Sequence, residues 1–151
     1  FRISNRGLYR LSPAGAGGLR EADRIAPMKE PRPIPVAEAI AQLDRFDAIL
    51  DARSPGEFAE DHLPGAISTP VLSDEQRARV GTLYKQQGRD AAVLEGLRIV
   101  GPKMADIVEQ ARALAPDGRI GVHCWRGGER SGSVAWLLDK AGFSEVLTLG
   151  A

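Results

Sequence analysis

Cysteine is nearly absent from this chain: Cys124 is the single one in 151 residues. One thiol forms no internal disulfide, and an unpaired thiol suits a reducing compartment, so the cytoplasm is the expected location. Histidine is scarce as well. His62 and His123 stand at no ligand spacing from Cys124, so no zinc site is expected. Long apolar runs are also missing. No stretch approaches the roughly 20 residues that span a bilayer, and Arg2, Arg6 and Arg10 break up the amino-terminal stretch where a secretory signal would be continuous. Charge of one sign is lacking too. The 20 Lys and Arg balance 20 Asp and Glu, so no global field draws nucleic acid or membrane. There is no internal repeat. The chain is long enough for one domain with a proper core.

Residues 1–33 differ from the rest. Ser12 to Gly18 is linker-like, Pro31, Pro33 and Pro35 close the stretch, and arginines outnumber acids. A disordered or non-native tail is the expectation, with a basic RNA-contacting arm as the alternative. Met28, just before the folded sequence, fits a natural start. From there one domain is expected over 34–151. Val36, Ile40 and Leu43 recur at helical spacing. Ala48 to Arg53 reads as a buried strand ending in polar residues. Ser54, Pro55 and Glu57 form a helix start: a Ser cap, Pro at the first position and Glu at the third. His62 to Ala66 is a turn and Ala66 to Thr69 a short strand. Ser73 and Gln76 form a capping box that opens a helix to about Gln87, which Gly88 ends.

Asp90 starts the longest helical stretch. Leu94, Leu97, Met104, Ile107, Val108, Ala111 and Leu114 are expected to share one apolar face, with a break at Gly101-Pro102. A strand over 119–123, a helix over 130–141 and a last strand over 145–149 complete the reading. Trp136 is expected in the core. Strands separated by helices predict an α/β domain: a parallel sheet with helices on both faces.

Chemistry concentrates where the 119–123 strand meets the helix after it. Cys124-Trp125-Arg126-Gly127-Gly128-Glu129-Arg130-Ser131 is a short glycine-rich loop with a thiol at its start. In open α/β sheets, ligands gather at the carboxyl ends of strands. Asp51 and Arg53 fall at such an end too, where they would shape the pocket rim or support the loop. Gly127 and Gly128 let the loop curl its N–H groups inward. The following helix points its positive end at the sulfur, and Arg126 and Arg130 add full charges. All of this favours a thiolate nucleophile in an anion cradle. Taken alone, Cys124 would read as a small buried apolar residue; the glycines, arginines and strand-to-helix context argue for the nucleophile. His123 should point to the opposite face from Cys124, and His62 reads as a turn residue. Trp125 fits either stacking on a base or covering the loop.

The loop satisfies H-C-x-x-G-x-x-R-[ST], the signature of cysteine-dependent phosphatases, and phosphate and persulfide need the same cradle. Asp51 to Phe58, followed by His62 to Ile67, resembles the amino-terminal motif of rhodanese-like domains, whose active-site loop coincides with the Cys124 loop. Ordinary members have a shorter loop. The longer run from Cys124 to Arg130 resembles the cell-cycle phosphatases built on the same fold, so phosphatase or arsenate-reductase chemistry stays open.

A narrower resemblance lies in Pro70 to Ala92, which looks like the insertion typical of tRNA 2-selenouridine synthases. That family also carries Cys-x-Arg-Gly-Gly-x-Arg-Ser, matched by Cys124, Arg126, Gly127, Gly128, Arg130 and Ser131. The resemblance implies a rhodanese-like fold with its active-site loop between a central strand and a helix. It implies no bound cofactor. It implies sulfur or selenium transfer to wobble 2-thiouridine of tRNA through a geranylated intermediate, with geranyl diphosphate and selenophosphate as co-substrates. A selenophosphate-producing enzyme would be a partner. The family continues with Gly-Gly-Tyr-Lys and a Walker-loop domain, whereas this chain stops at Gly150-Ala151 and holds no Walker motif. The expectation is a truncated or excised domain, or an inactive orphan, with the two-step reaction impaired. Apolar sheet surface should lie exposed where a closing helix is missing.

Overall fold

The computed structural model of the chain describes residues 32–124 and 128–150. Its elements run β1 (Arg32–Pro35), α1 (Val36–Ala41), a 3-10 turn (Leu43–Arg45), β2 (Ala48–Asp51), α2 (Pro55–Glu60), β3 (Ile67–Ser68), α3 (Asp74–Gln87), α4 (Arg89–Val100), a 3-10 turn (Gly101–Lys103), α5 (Met104–Leu114), β4 (Arg119–His123), α6 (Glu129–Lys140) and β5 (Glu145–Gly150). The sheet is fully parallel, in the order β1-β5-β4-β2-β3. β4 is central, with β2 and β5 on either side.

Side chains alternate across the strands, and the alternation sorts the core into two layers. Ala48, Leu50, Ile120, Val122 and Val146 face α5 and α6, where Ala111, Val134, Ala135 and Leu138 meet them. On the other face Ile34, Ile49, Leu147 and Leu149 pack with Ala39 of α1 and with Phe46. Leu50, Ile120, Leu138 and Leu149 are fully buried, and each contributes roughly 1.5–3 kcal/mol. Gly121 matters to the second layer. A Cβ there would meet Leu149 Cδ1 at 3.2 Å, so the glycine leaves room for that leucine across the strands. The expected exposed sheet surface is not found. Among the described residues Ile34, Ile49, Leu147 and Leu149 are 1–7% exposed, because α1 and the 3-10 turn after it cover them.

The helix starts follow the local chemistry. Ser73 Oγ accepts from Gln76 N–H at 3.1 Å and Gln76 Oε1 accepts from Ser73 N–H at 2.9 Å. That reciprocal box opens α3, and Gly88 at φ 92° closes it. The break at Gly101-Pro102 is a 3-10 turn between α4 and α5.

Three expectations are corrected. The Pro31–Pro35 stretch contains a strand, β1, which the prolines concealed; it survives them by sitting at the sheet edge. The long apolar face is not continuous: Leu94, Leu97 and Met104 are 50%, 63% and 38% exposed. α3 buries no side chain and α4 buries only Ala92 and Glu95; Val80, Ile99 and Val100 pack part-buried against the core. Glu95 sits between Arg79, at 2.8 Å, and Arg98, at 3.7 Å. Trp136 is not core. It is half-exposed on α6, with Lys140 Nζ 5.6 Å from its ring. No described helix is long and apolar enough to cross a membrane.

Candidate active site

β2 and β4 lie side by side in register, Asp51 opposite His123. The ladder runs one bond further, Ala52 N–H donating to His123 O at 2.9 Å. Both chains then leave the sheet at the same end. Cys124 therefore emerges beside the start of the Arg53 segment, as expected for a carboxyl-end site.

Cys124 is 5% exposed. Gly128 caps α6 in the left-handed region at φ 72°, and the turn brings Ser131, the third helical residue, onto the sulfur. Ser131 N–H donates to Cys124 Sγ at 3.3 Å, and Ser131 Oγ lies 3.1 Å from it. A thiol donates to that oxygen. A thiolate accepts from the N–H and, after the hydroxyl rotates, from the O–H as well. An amide in the helix's first turn, with no intrahelical partner, is thereby satisfied by sulfur. Negative charge on Sγ is met by two donors and the positive end of α6.

The arginines are placed less simply. Arg130 donates from Nη1 to Glu57 Oε2 at 2.6 Å and from Nη2 to Glu57 Oε1 at 3.1 Å, so its charge is shared with a carboxylate of α2. Glu57 also accepts from Ser54 N–H and Oγ, each at 3.0 Å, and forms an ion pair with Arg77 Nε of α3 at 3.2 Å. Burial opposes its ionisation, but the Arg130 and Ser54 hydrogen bonds outweigh burial and bring its carboxyl down to about 2. Glu129 points outward, to Arg89 at 2.9 Å. Trp125, Arg126 and Gly127 lie outside the described residues.

Asp51 and Arg53 form a buried pair, 0% and 2% exposed. Arg53 N–H and Nε donate to Asp51 Oδ1 at 3.0 Å, and Nη2 donates to Oδ2 at 2.8 Å. The same guanidinium reaches Asp61 Oδ1 at 3.1 Å and Asp61 O at 2.6 Å. The pair thus ties the end of β2 to the end of α2. Asp51's hydrogen bonds, the largest influence, hold Arg53 further on the protonated side than usual, against burial.

The histidines take structural places. His123 Nδ1 lies 3.2 Å from Leu149 O. His62 Nδ1 lies 2.9 Å from Phe58 O and its ring stacks on Phe58 at 4.0 Å. Among the described residues no three His, Cys, Asp or Glu side chains gather as a metal would need. A cavity of about 420 Å³ opens between α3 and α4, lined by Arg79, Leu83, Leu94, Glu95 and Arg98, and among the described residues none of the cysteine loop lines it.

Sequence reasoning missed the part Glu57 plays at this site. The sequence marks it as a helix cap and as part of the Asp51–Phe58 motif, and no spacing connects it with Arg130, 73 positions later. Arg77, Asp61 and Asp74 were missed for the same reason: their partners are distant in sequence or on another element.

Comparison with known proteins agrees with this geometry. Residues 35–150 match the family model of the rhodanese-like domain. A tRNA 2-selenouridine synthase of Bordetella bronchiseptica is 44% identical over 107 residues, 68% of this chain and 28% of that protein. The synthase of Bdellovibrio bacteriovorus is 39% identical over 109 residues, 68% of this chain and 27% of that protein. The chain spans a little over a quarter of the length of these relatives. A solved domain from Clostridium difficile 630, the N-terminal part of a protein designated as ATP/GTP-binding, superposes with a TM-score of 0.68 at 36% identity. That match covers 78% of this chain and 90% of the other. From β1 to β5, with its cysteine at the end of the central strand, the chain belongs to the rhodanese-like domain family.

Proposed function

We propose that this domain transfers sulfur or selenium through Cys124, as the rhodanese part of an enzyme converting wobble 2-thiouridine of tRNA to 2-selenouridine. The observation that carries the proposal is Cys124 Sγ held by Ser131 N–H at 3.3 Å and Ser131 Oγ at 3.1 Å at the start of α6. The similarity to longer synthases supports tRNA as the partner.

The chemistry is a displacement at sulfur. With thiosulfate, the Cys124 thiolate attacks the outer sulfur and forms a new S–S bond. The old S–S bond breaks and its electron pair leaves with sulfite. A persulfide anion remains on Cys124, and its terminal charge needs the same donors as the thiolate. Cys124 is the single cysteine of this chain, so the acceptor comes from outside it. Trp125, Arg126 and Gly127 complete the cradle in this reading, with their N–H groups and the Arg126 charge. Geranyl diphosphate and selenophosphate are the co-substrates of the whole reaction, and a selenophosphate-producing enzyme is the upstream partner.

Two observations keep a phosphatase as the competing reading: the seven-residue run from Cys124 to Arg130, and the place of Arg130 in the first turn of the helix that meets the sulfur. A chimera separates the two. Residues 35–150 replace the matching segment of the Bordetella bronchiseptica synthase in a selenouridine-deficient strain, and tRNA nucleosides are measured by mass spectrometry. The chimera should restore 2-selenouridine and its Cys124→Ser form should not. Equal restoration by both would remove Cys124 from the reaction. Cys124-dependent hydrolysis of an aryl phosphate, without restoration, would establish the phosphatase.

A further inference from the structure

We infer that Glu57 is a positioning residue for the anionic donor at Cys124, acting through Arg130, and that Arg77 of α3 completes the device. This rests on the reading of Cys124 as a nucleophile that meets an anion.

Two guanidiniums share one carboxylate. Arg130 binds both Glu57 oxygens, and Arg77 Nε lies 3.2 Å from Oε2. The cluster therefore carries one net positive charge. Exposure grades across it: the Glu57, Arg130 and Arg77 side chains are 15%, 21% and 52% exposed. Arg130 is held through both terminal nitrogens by a largely buried carboxylate. A guanidinium fork fixed this way recognises an anion with little further ordering. Arg130 also precedes Ser131, whose N–H and hydroxyl touch the sulfur, so the fork and the thiol are set by adjacent residues of one helix turn.

α3 is fixed in the same place by a second contact. Asp74 accepts Gly56 N–H at 2.9 Å, and a Cβ on Gly56 would come within 2.8 Å of Asp74 Oδ1. The starts of α2, α3 and α6 are thus joined around Glu57. Glu57 stays ionised through the neutral range, so the clamp does not switch there. The ligand class is a small dianion with terminal oxygens, of which thiosulfate is the simplest probe.

Glu57→Gln separates this role from the helix cap, because a glutamine at the third helical position still accepts Ser54 N–H. Thiosulfate binding is measured by NMR titration in the Cys124→Ser protein, where no transfer occurs, with and without Glu57→Gln. The dissociation constant should rise about fivefold or more. In the Cys124 protein, the ratio of the thiosulfate rate to the rate with neutral iodoacetamide should fall by a similar factor. A merely structural role would lower both rates and leave the ratio unchanged, which overturns the inference, as does unaltered or tighter thiosulfate binding. No binding by the parent overturns it too. Binding that weakens in Glu57→Gln, without persulfide formation in the parent, upholds the inference and rejects sulfur transfer. Should Glu57→Gln fail to fold, Arg77→Gln removes one cation from the exposed rim and should raise the dissociation constant about twofold; no change there overturns the inference.

Discussion

Replacing Asp51 by alanine tests how the site is supported. Asp51 is 0% exposed and takes the Arg53 N–H, Nε and Nη2 in one fan of hydrogen bonds. Removing one partner of a buried ion pair costs about 3–5 kcal/mol, because the remaining charge stays desolvated. Asp61 remains beside Arg53, with its side chain 69% exposed, so the lower end applies, about 3 kcal/mol. For a domain of this size that lowers Tm by roughly 12 °C. Asp61→Ala is the internal comparison. It removes an exposed carboxylate but keeps Asp61 O at 2.6 Å, and should cost under about 1 kcal/mol. The double variant Asp51→Ala with Arg53→Met should lose less than the sum of the singles, since no charge is left buried. Thermal melts by circular dichroism read the parent, the three single variants and the double variant. A loss below roughly 4 °C for Asp51→Ala, or equal losses for Asp51→Ala and Asp61→Ala, would refute the claim that the buried pair anchors the end of β2.

Three further outcomes follow from the same geometry. Ser131→Ala keeps the N–H at 3.3 Å but loses the Oγ at 3.1 Å. Iodoacetamide labelling of Cys124 at neutral pH should slow roughly fivefold, since a hydrogen bond to charged sulfur is worth about 1.5 kcal/mol and a stabilised thiolate is a somewhat weaker nucleophile; an unchanged rate contradicts this. Glu57 has its carboxyl at about 2 when folded, below the ordinary 4.5, so its stabilisation is present above about pH 4.5 and is lost as pH falls toward 2. Screening discounts that component to about 2 kcal/mol, and urea midpoints at about pH 6 and about pH 3 should differ less in Glu57→Gln than in the parent. Gly128→Ala places a Cβ 3.6 Å from Ser131 Oγ, an ordinary contact, so among the described residues its cost is the left-handed φ of 72°. About 1 kcal/mol is expected, or roughly 4 °C in Tm, and an unshifted melt would mean the turn relaxes.

What the sequence showed depended on how local the cause was. The Ser73–Gln76 box, the Ser54-Pro55 start, the Gly88 stop and the Gly101-Pro102 break are decided within a few residues, and each is present in the structure. Parallel order followed from the strand–helix alternation. β1 was concealed because its prolines argue against a strand in general, yet Pro33 and Pro35 are tolerated at an edge. Leu94, Leu97 and Trp136 were misplaced because helical spacing predicts a face without saying what covers it. At the site, Cys124, Ser131 and the Asp51–Arg53 pair were legible from motif and position. The Glu57–Arg130 clamp was not, because it joins two helices that only the folded sheet brings together.

The central claim is that Cys124 carries sulfur or selenium. Intact-mass and peptide mass spectrometry after thiosulfate treatment tests it most directly. The account predicts one added sulfur atom on the peptide holding Cys124, removed by a thiol acceptor and absent from Cys124→Ser. A folded protein whose Cys124 alkylates readily yet gains no sulfur would contradict it.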